Sequence, residues 1–375
     1  MEIGKKLSTY MKNFFKKKIV DKPYPLASQA IYNKKNKKKF IKVDWNEFPY
    51  KPCKNVLNKI RNSISSDTYN LNWYPNTYPK ELINKISKYI KVSELNICLF
   101  AGSDSGLEQI AKTFIKSKNK VGILSPTYDQ FRIECVLNDA NLKLFFPKNI
   151  FNFKIEELIY ELKIIKPTIF YICNPNNPTG NHFKRDEIIK MLKLFPRTLF
   201  IVDEAYSEYS GEESLANKYT LNKVKNLIIM KTFSKCFGLA SLRLGYCISS
   251  KEIINTLNKY KNHKSINSIA QIAGIETLKN LSYYVKKIKI IQKTKYKFVS
   301  DLHKKKINVI NTPANFVLLK TNKKMRLLRY MEQKGIYIRD LGHLKFMNDY
   351  VRISISTPEN MNLIKKGLLN FFRVN

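Results

Sequence analysis

From about residue 68 the chain alternates short apolar runs with helical stretches, and no other feature restricts its fold as much. The runs predict strands over 96–100, 120–124, 168–173, 198–202, 226–231 and 243–248. Helical faces lie between them: Leu82, Ile83, Ile86, Tyr89 and Ile90 recur at spacings of three and four. Strands separated by helices pair in parallel, with each helix crossing over the sheet. Each run stops at a polar or glycine-bearing loop, and loops at the carboxyl ends of such strands gather around one ligand. After about residue 263 the texture changes. A lysine-rich helical region over 267–305 precedes strands at 315–320, 336–339 and 350–356, the pattern of a smaller α+β unit. The expected domains are a basic N-terminal arm over 1–45, a large α/β domain over 46–262 and a small domain over 263–375.

A length of 375 residues allows two domains with a shared interface. No apolar run is long enough to span a bilayer and no signal-peptide pattern is present, so a cytoplasmic protein without a membrane segment is expected. The six cysteines form no Cys-x-x-Cys pair and the four histidines are isolated, so no metal is expected. The net charge of +39 suits a polyanion partner or reflects lysine spent on every solvated face. Lysine is spread along the whole chain without an arginine-rich groove or aromatic–basic motif, which favours the second reading and no nucleic-acid partner. Ile3, Leu7, Tyr10, Met11 and Phe14 recur at helical spacing among lysines. Such a helix packs on its own protein or a partner subunit, the favoured reading, or rests on an anionic membrane.

Four loops carry chemistry. Gly102-Ser103-Asp104-Ser105 follows a strand and opens a helix, where backbone N–H groups and the helix dipole suit a phosphate; many ordinary turns look the same. In the 174–180 loop two prolines and a glycine stiffen the chain around Asn177, so its amide can be held toward a ligand. The apolar run 200–202 ends in Asp203, with Tyr206 three residues later. A carboxylate at that depth needs a cation, either a salt-bridge partner or a protonated ring nitrogen. Last, Lys235 sits between Thr232, Ser234 and, eight residues on, Arg243. A lysine in a small-residue turn can lose its proton and condense with an aldehyde, while hydroxyls and a guanidinium hold a phosphate. Together these groups are what pyridoxal 5′-phosphate (PLP) requires of a protein.

In this order the motifs resemble the fold-type I PLP-dependent transferases of the class I/II aminotransferases, most closely the histidinol-phosphate aminotransferases. The resemblance runs from about Tyr24 to the C-terminus, through Asn46-Glu47-Phe48-Pro49, Trp73-Tyr74-Pro75-Asn76 and Pro126-Thr127-Tyr128. It closes with Ala314-Asn315-Phe316, Ile338-Arg339-Asp340 and Val351-Arg352-Ile353-Ser354. It implies a large domain with a mainly parallel seven-stranded sheet flanked by helices, plus a smaller α+β C-terminal domain. It further implies Lys235 as the lysine that condenses with the cofactor and moves the proton, and Asp203 as partner of the ring nitrogen. Asn177 and Tyr206 would bond the ring hydroxyl and Tyr128 would stack on the ring. The backbone of Ser103, Asp104 and Ser105 would hold the cofactor phosphate with Thr232, Ser234 and Arg243. Tyr74 would reach the phosphate of a neighbouring subunit, which implies a homodimer. Tyr24, Asn46 and Arg352 would meet the substrate. Arg339, 13 residues before Arg352, would add charge for a phosphate or else pair with Asp340 at the surface.

The implied substrates are an amine and a keto acid: histidinol phosphate and 2-oxoglutarate, giving imidazole acetol phosphate and glutamate. The alternatives are an aminotransferase of another pathway or a phospho-amino acid decarboxylase on the same scaffold. From another class comes a basic nucleic-acid- or membrane-binding protein without catalysis, which the intact lysine set argues against. Departures from the family pattern at Ser105, Trp73, Cys236 and His263-Lys264-Ser265 bear on the substrate and leave the cofactor set whole.

Overall fold

The computed structural model describes residues 40–65 and 71–374. The helix expected around Ile3–Phe14 and the candidate Tyr24 lie outside the described residues.

Seven strands build the large sheet: β2 (Ile97–Phe100), β3 (Lys120–Leu124), β4 (Asn141–Phe145), β5 (Ile169–Cys173), β6 (Leu199–Asp203), β7 (Leu227–Thr232) and β8 (Gly245–Ser249). Their order is β2-β8-β7-β6-β5-β3-β4, with β8 antiparallel to both neighbours and the remaining pairs parallel. This is the mainly parallel, helix-flanked seven-stranded sheet that the resemblance implies. Every residue of β5 and β7 is buried, as a parallel sheet covered on both faces requires. Side chains alternate between two apolar layers. Phe170, Ile172, Phe200, Val202 and Ile229 enter one layer; Tyr171, Cys173, Ile201, Ile228 and Met230 enter the other. Each such large side chain, fully buried, stabilises the fold by roughly 1.5–3 kcal/mol.

Two features of the sheets were not expected. Strand β4 is an edge strand with three of its five residues exposed, so its apolar signal is weak. In the smaller sheet, β1 (Ile41–Val43), β9 (Val309–Asn311), β10 (Phe316–Lys320), β11 (Ile336–Asp340) and β12 (Tyr350–Ser354) run in the order β1-β11-β12-β10-β9. The end of the expected N-terminal arm thus becomes an edge strand of the C-terminal sheet, Ile41 opposite Ile336 in parallel register. The region over 267–305 resolves into two helices, Ser268–Lys279 and Leu281–His303, interrupted at Asn280. All six cysteines are buried and free. Among the described residues no helix is long and apolar enough to cross a membrane.

Candidate active site

The carboxyl ends of β3, β5, β6 and β7 point to one side of the large sheet, and the small sheet brings β11 and β12 over them. Between them lies a cavity of about 540 Å³. Its floor is Asp203, the last residue of β6, 3% exposed. Side-chain alternation puts Asp203 on the same face as Tyr171 of β5, whose hydroxyl donates to Asp203 Oδ2 at 3.1 Å. The backbone N–H of Ala205 donates to Oδ1 at 3.0 Å. Neither donor carries a charge, and burial pushes the carboxyl up to about 6. A buried carboxylate facing a cavity under these terms is completed by a cation inside the cavity.

Above this floor three amide and phenol groups interlock. Asn46 and Asn177 each donate a side-chain N–H to the Tyr206 hydroxyl, at 3.1 and 3.2 Å. Burial pushes the Tyr206 phenol up, so it stays protonated and can donate onward. Asn46 itself adopts a left-handed backbone, φ 56, and is held there by a two-way exchange with Ser354 at 2.9 Å each way. On the opposite face of β7, buried Lys231 stands 2.8 Å from Glu208 and 3.6 Å from Glu204, clipping down the segment that carries Tyr206.

Lys235 lines the cavity from the β7 side. Its ammonium donates to the Trp45 carbonyl at 2.9 Å, and its own carbonyl accepts from the Tyr209 hydroxyl at 2.6 Å. Burial and then the Arg352 charge bring the Lys235 amine down to about 8.

The anion-binding end is built on two glycines. Gly102, at φ +84, opens the helix Gly102–Phe114, and a Cβ on it would lie 2.5 Å from Arg243 Nη2. A Cβ on Gly245 would lie 2.6 Å from the Ser103 amide nitrogen. The missing side chains therefore let a guanidinium and a helix N-terminus approach the same point, which suits a phosphate. Arg243 Nη2 lies 3.1 Å from Asp104 Oδ2, and the Tyr128 hydroxyl donates to Asp104 Oδ1 at 2.8 Å. Thr232 Oγ1 accepts from the Ser234 N–H and donates to Ser234 Oγ, both at 3.1 Å, and both residues line the cavity. Ser105 stands in the same helical turn but is absent from the cavity wall.

The opposite end is cationic. Arg339 of β11 and Arg352 of β12 are directly opposite in register, both line the cavity, and they are 6% and 8% exposed. Arg352 donates to Asn177 Oδ1 at 2.5 Å and to the Asp44 carbonyl at 2.6 Å, and its guanidinium lies 5.5 Å from the Phe316 ring centre. Arg339 is no surface residue; Asp340, its neighbour on the strand, pairs with Lys324 at 2.7 Å.

The sequence profile of the class I and II aminotransferase family matches residues 38–366. The chain belongs to the class I and II aminotransferases. A dihydroxyacetone phosphate transaminase of Campylobacter jejuni is 35% identical over 93% of this chain and 94% of its own. A histidinol-phosphate aminotransferase of Ruminiclostridium cellulolyticum is 30% identical over 90% and 94%. Among solved structures, the histidinol-phosphate aminotransferase of Sinorhizobium meliloti in complex with pyridoxal 5′-phosphate superposes with a TM-score of 0.84 at 23% identity, covering 94% of this chain and 96% of the other.

The protein is thus a PLP-dependent aminotransferase acting on amine and keto acid substrates. The carboxylate floor, the glycine-built anion end and the lysine between them fit that cofactor's ring nitrogen, phosphate and aldehyde. Of the candidates read from the sequence, Tyr74 stands apart from the cavity, 77% exposed, with the Lys264 ammonium 4.2 Å above its ring. Three contributors escaped the sequence reading. Tyr171 left a trace, a phenol inside an otherwise apolar run. Trp45 contributes a backbone carbonyl, which no side chain announces. His343 reaches the cavity from the turn between β11 and β12, its imidazole pushed down by burial and by Arg339, and nothing in its neighbourhood signals this.

Proposed function

We propose that this aminotransferase exchanges an amino group between a phosphomonoester amine and a 2-oxo acid, with histidinol phosphate and 2-oxoglutarate as the pair. The observation that carries this reading is the facing pair Arg339 and Arg352. Like charges directly opposite on neighbouring strands repel, and an anion between them removes the cost. A carboxylate brings one negative charge; a phosphomonoester brings close to two and three acceptor oxygens. The site must take both in turn, since glutamate and the phosphorylated amine occupy it in alternate half-reactions.

PLP, when bound, supplies an aldehyde that captures amino groups and a ring that accepts the electron pair released from carbon. The chain does the rest. Asp203 would pair with the ring nitrogen, and Asn177 and Tyr206 with the ring hydroxyl. Tyr128 would lie against the ring. The Gly102–Ser105 backbone, Thr232, Ser234 and Arg243 would hold the cofactor phosphate. Lys235 Nζ would hold the cofactor and serve as the base that moves the proton between the two carbons. Asn46 and Arg352 orient the substrate, with Arg339 supplying the second charge. We take the enzyme to work as a cytoplasmic homodimer, with Tyr74 serving the partner's phosphate and Tyr24 at the substrate.

The Campylobacter relative supports a second reading, a smaller phosphomonoester at the same arginine pair: the amine that corresponds to dihydroxyacetone phosphate. A single-turnover absorbance assay on PLP-loaded enzyme without keto acid separates them. Conversion of the cofactor band by glutamate and histidinol phosphate supports the first reading. Conversion by glutamate and the smaller amine supports the second. Failure of glutamate, or carbon dioxide release from a phosphorylated amino acid, rejects both.

A further inference from the structure

A buried ammonium with no counter-charge loses its hydration without return, so such a lysine persists only where it organises something else. Lys295, in the helix Leu281–His303, is 3% exposed, and among the described residues it forms no ion pair with a carboxylate, burial alone pushing its amine down. Its ammonium donates instead to two backbone carbonyls, Thr312 O at 2.5 Å and Ala314 O at 2.7 Å. These carbonyls flank Pro313 in the 312–315 turn that leads into β10. Thr312 Oγ1 donates to Phe316 O at 2.5 Å and closes the turn from within.

The turn touches the substrate end from four directions. Asn315 Nδ2 donates to the Asn46 carbonyl at 3.0 Å. Ile355 N donates to Asn315 O at 2.8 Å, which ties the turn to the segment just past Arg352. Phe316 meets the Tyr206 ring edge-on at 5.6 Å and lies under the Arg352 guanidinium. Thr312 packs on Gly180, where a Cβ would sit 2.6 Å from Thr312 Cγ2, so the loop bearing Asn177 closes on the same turn.

We propose that Lys295 is a positioning residue, whose buried ammonium fixes the 312–315 turn and through it sets Asn46, Tyr206, Asn177 and Arg352 for the anionic end of the substrate. It rests on the reading that Arg352 and Asn46 meet the substrate. The cofactor's phosphate end hangs on other elements, the Gly102 turn and Arg243, so loosening the turn weakens substrate binding more than cofactor retention, although Asn177 and Tyr206 also face the cofactor ring.

The test uses PLP-loaded full-length enzyme and the variants Lys295→Met, Asn315→Ala, their double and Arg352→Met. Cofactor absorbance, thermal midpoint, kcat and the KM for glutamate are read for each. Lys295→Met is expected to raise the KM about tenfold or more while cofactor content stays unchanged. Asn315→Ala should do likewise, and the double variant should be no worse than the worse single, because both act through one turn. A KM within twofold of the parent in Lys295→Met, or independent multiplying effects in the double, overturns the clamp. Should Lys295→Met not fold, Lys295→Gln removes the charge while keeping a donor toward the carbonyls; an unchanged KM there overturns the role of the ammonium equally. If Arg352→Met leaves the KM unchanged, the substrate reading fails; if only the Lys295 and Asn315 variants are silent, the clamp alone fails.

Discussion

An aldehyde is attacked by an amine, never by an ammonium, so Lys235 needs from its surroundings a lowered pKa before anything else. At about 8, roughly one Lys235 in ten is neutral at pH 7, against about one in three thousand for a lysine at its ordinary value. Acetylation of Lys235 in the cofactor-free protein, followed by peptide mapping, should therefore rise with pH around a midpoint near 8. Arg352→Met removes a charge that helps lower this amine, and should move the midpoint upward; a midpoint shared with surface lysines in both proteins would refute the assignment. In the loaded enzyme Lys235→Ala should cut turnover by about a thousandfold or more. Asp203 carries the opposite shift. Its folded pKa, about 6, lies above the ordinary carboxyl value, so its contribution is fully present below about pH 4 and is lost as pH rises through 6. Without cofactor, Asp203→Asn should be the more stable protein at pH 8, by on the order of 2–3 kcal/mol, and no more stable at pH 4. Urea unfolding at the two pH values reads the difference. Equal stability at both would mean that the carboxylate already has its cation.

At the scale of elements the decisive feature is the β11–β12 pairing, which sets two guanidinium groups side by side. Each charge-assisted bond lost to a buried anion costs about 1.5–3 kcal/mol, roughly 10- to 150-fold in affinity. Arg339→Met should therefore weaken the phosphomonoester by at least tenfold and glutamate by less than threefold, whereas Arg352→Met should weaken both. Steady-state KM values for the two substrates decide it, and equal losses from both variants would dissolve the distinction between the two arginines. That Arg339 faces the cavity was undecidable before the structure. Along a strand, adjacent side chains point to opposite faces, but the sequence alone does not say which of Arg339 and Asp340 points inward. The six strands of the large sheet from 96 to 248 were legible because burial on both faces makes them continuous apolar runs. The loops were legible because proline, glycine and a terminal carboxylate each have a local cost that only a site repays. Strands β1 and β4 were not: β1 has three residues and pairs with a strand near the other end of the chain, and β4 is an edge with three of its five residues exposed, so its apolar run is broken. The left-handed Asn46 and the hydroxyl of Tyr171 depend in the same way on neighbours contributed by other segments.

For the whole molecule the governing quantity is the charge of +39, which acts at two ranges at once. Within the chain it is self-repulsion, and ion pairs with a solvent-exposed partner, such as Lys112 with Glu108 and Lys297 with Asp301, are individually too weak to offset it. Toward solution it is an attractive field for any phosphorylated substrate, felt out to about a Debye length. Salt shortens that length from about 30 Å at 0.01 M to about 8 Å at 0.15 M, and so weakens both effects. Their consequences have opposite signs. The thermal midpoint should rise by a few degrees over that salt range as repulsion is screened, while kcat/KM for the phosphomonoester falls severalfold as capture slows. A neutral competitor for the same cavity should show no such fall. If kcat/KM were flat in salt while the midpoint rose, the charge would be a cost of composition borne at the surface. A parallel fall in both would mean that local ion pairs, not the net field, hold the fold together.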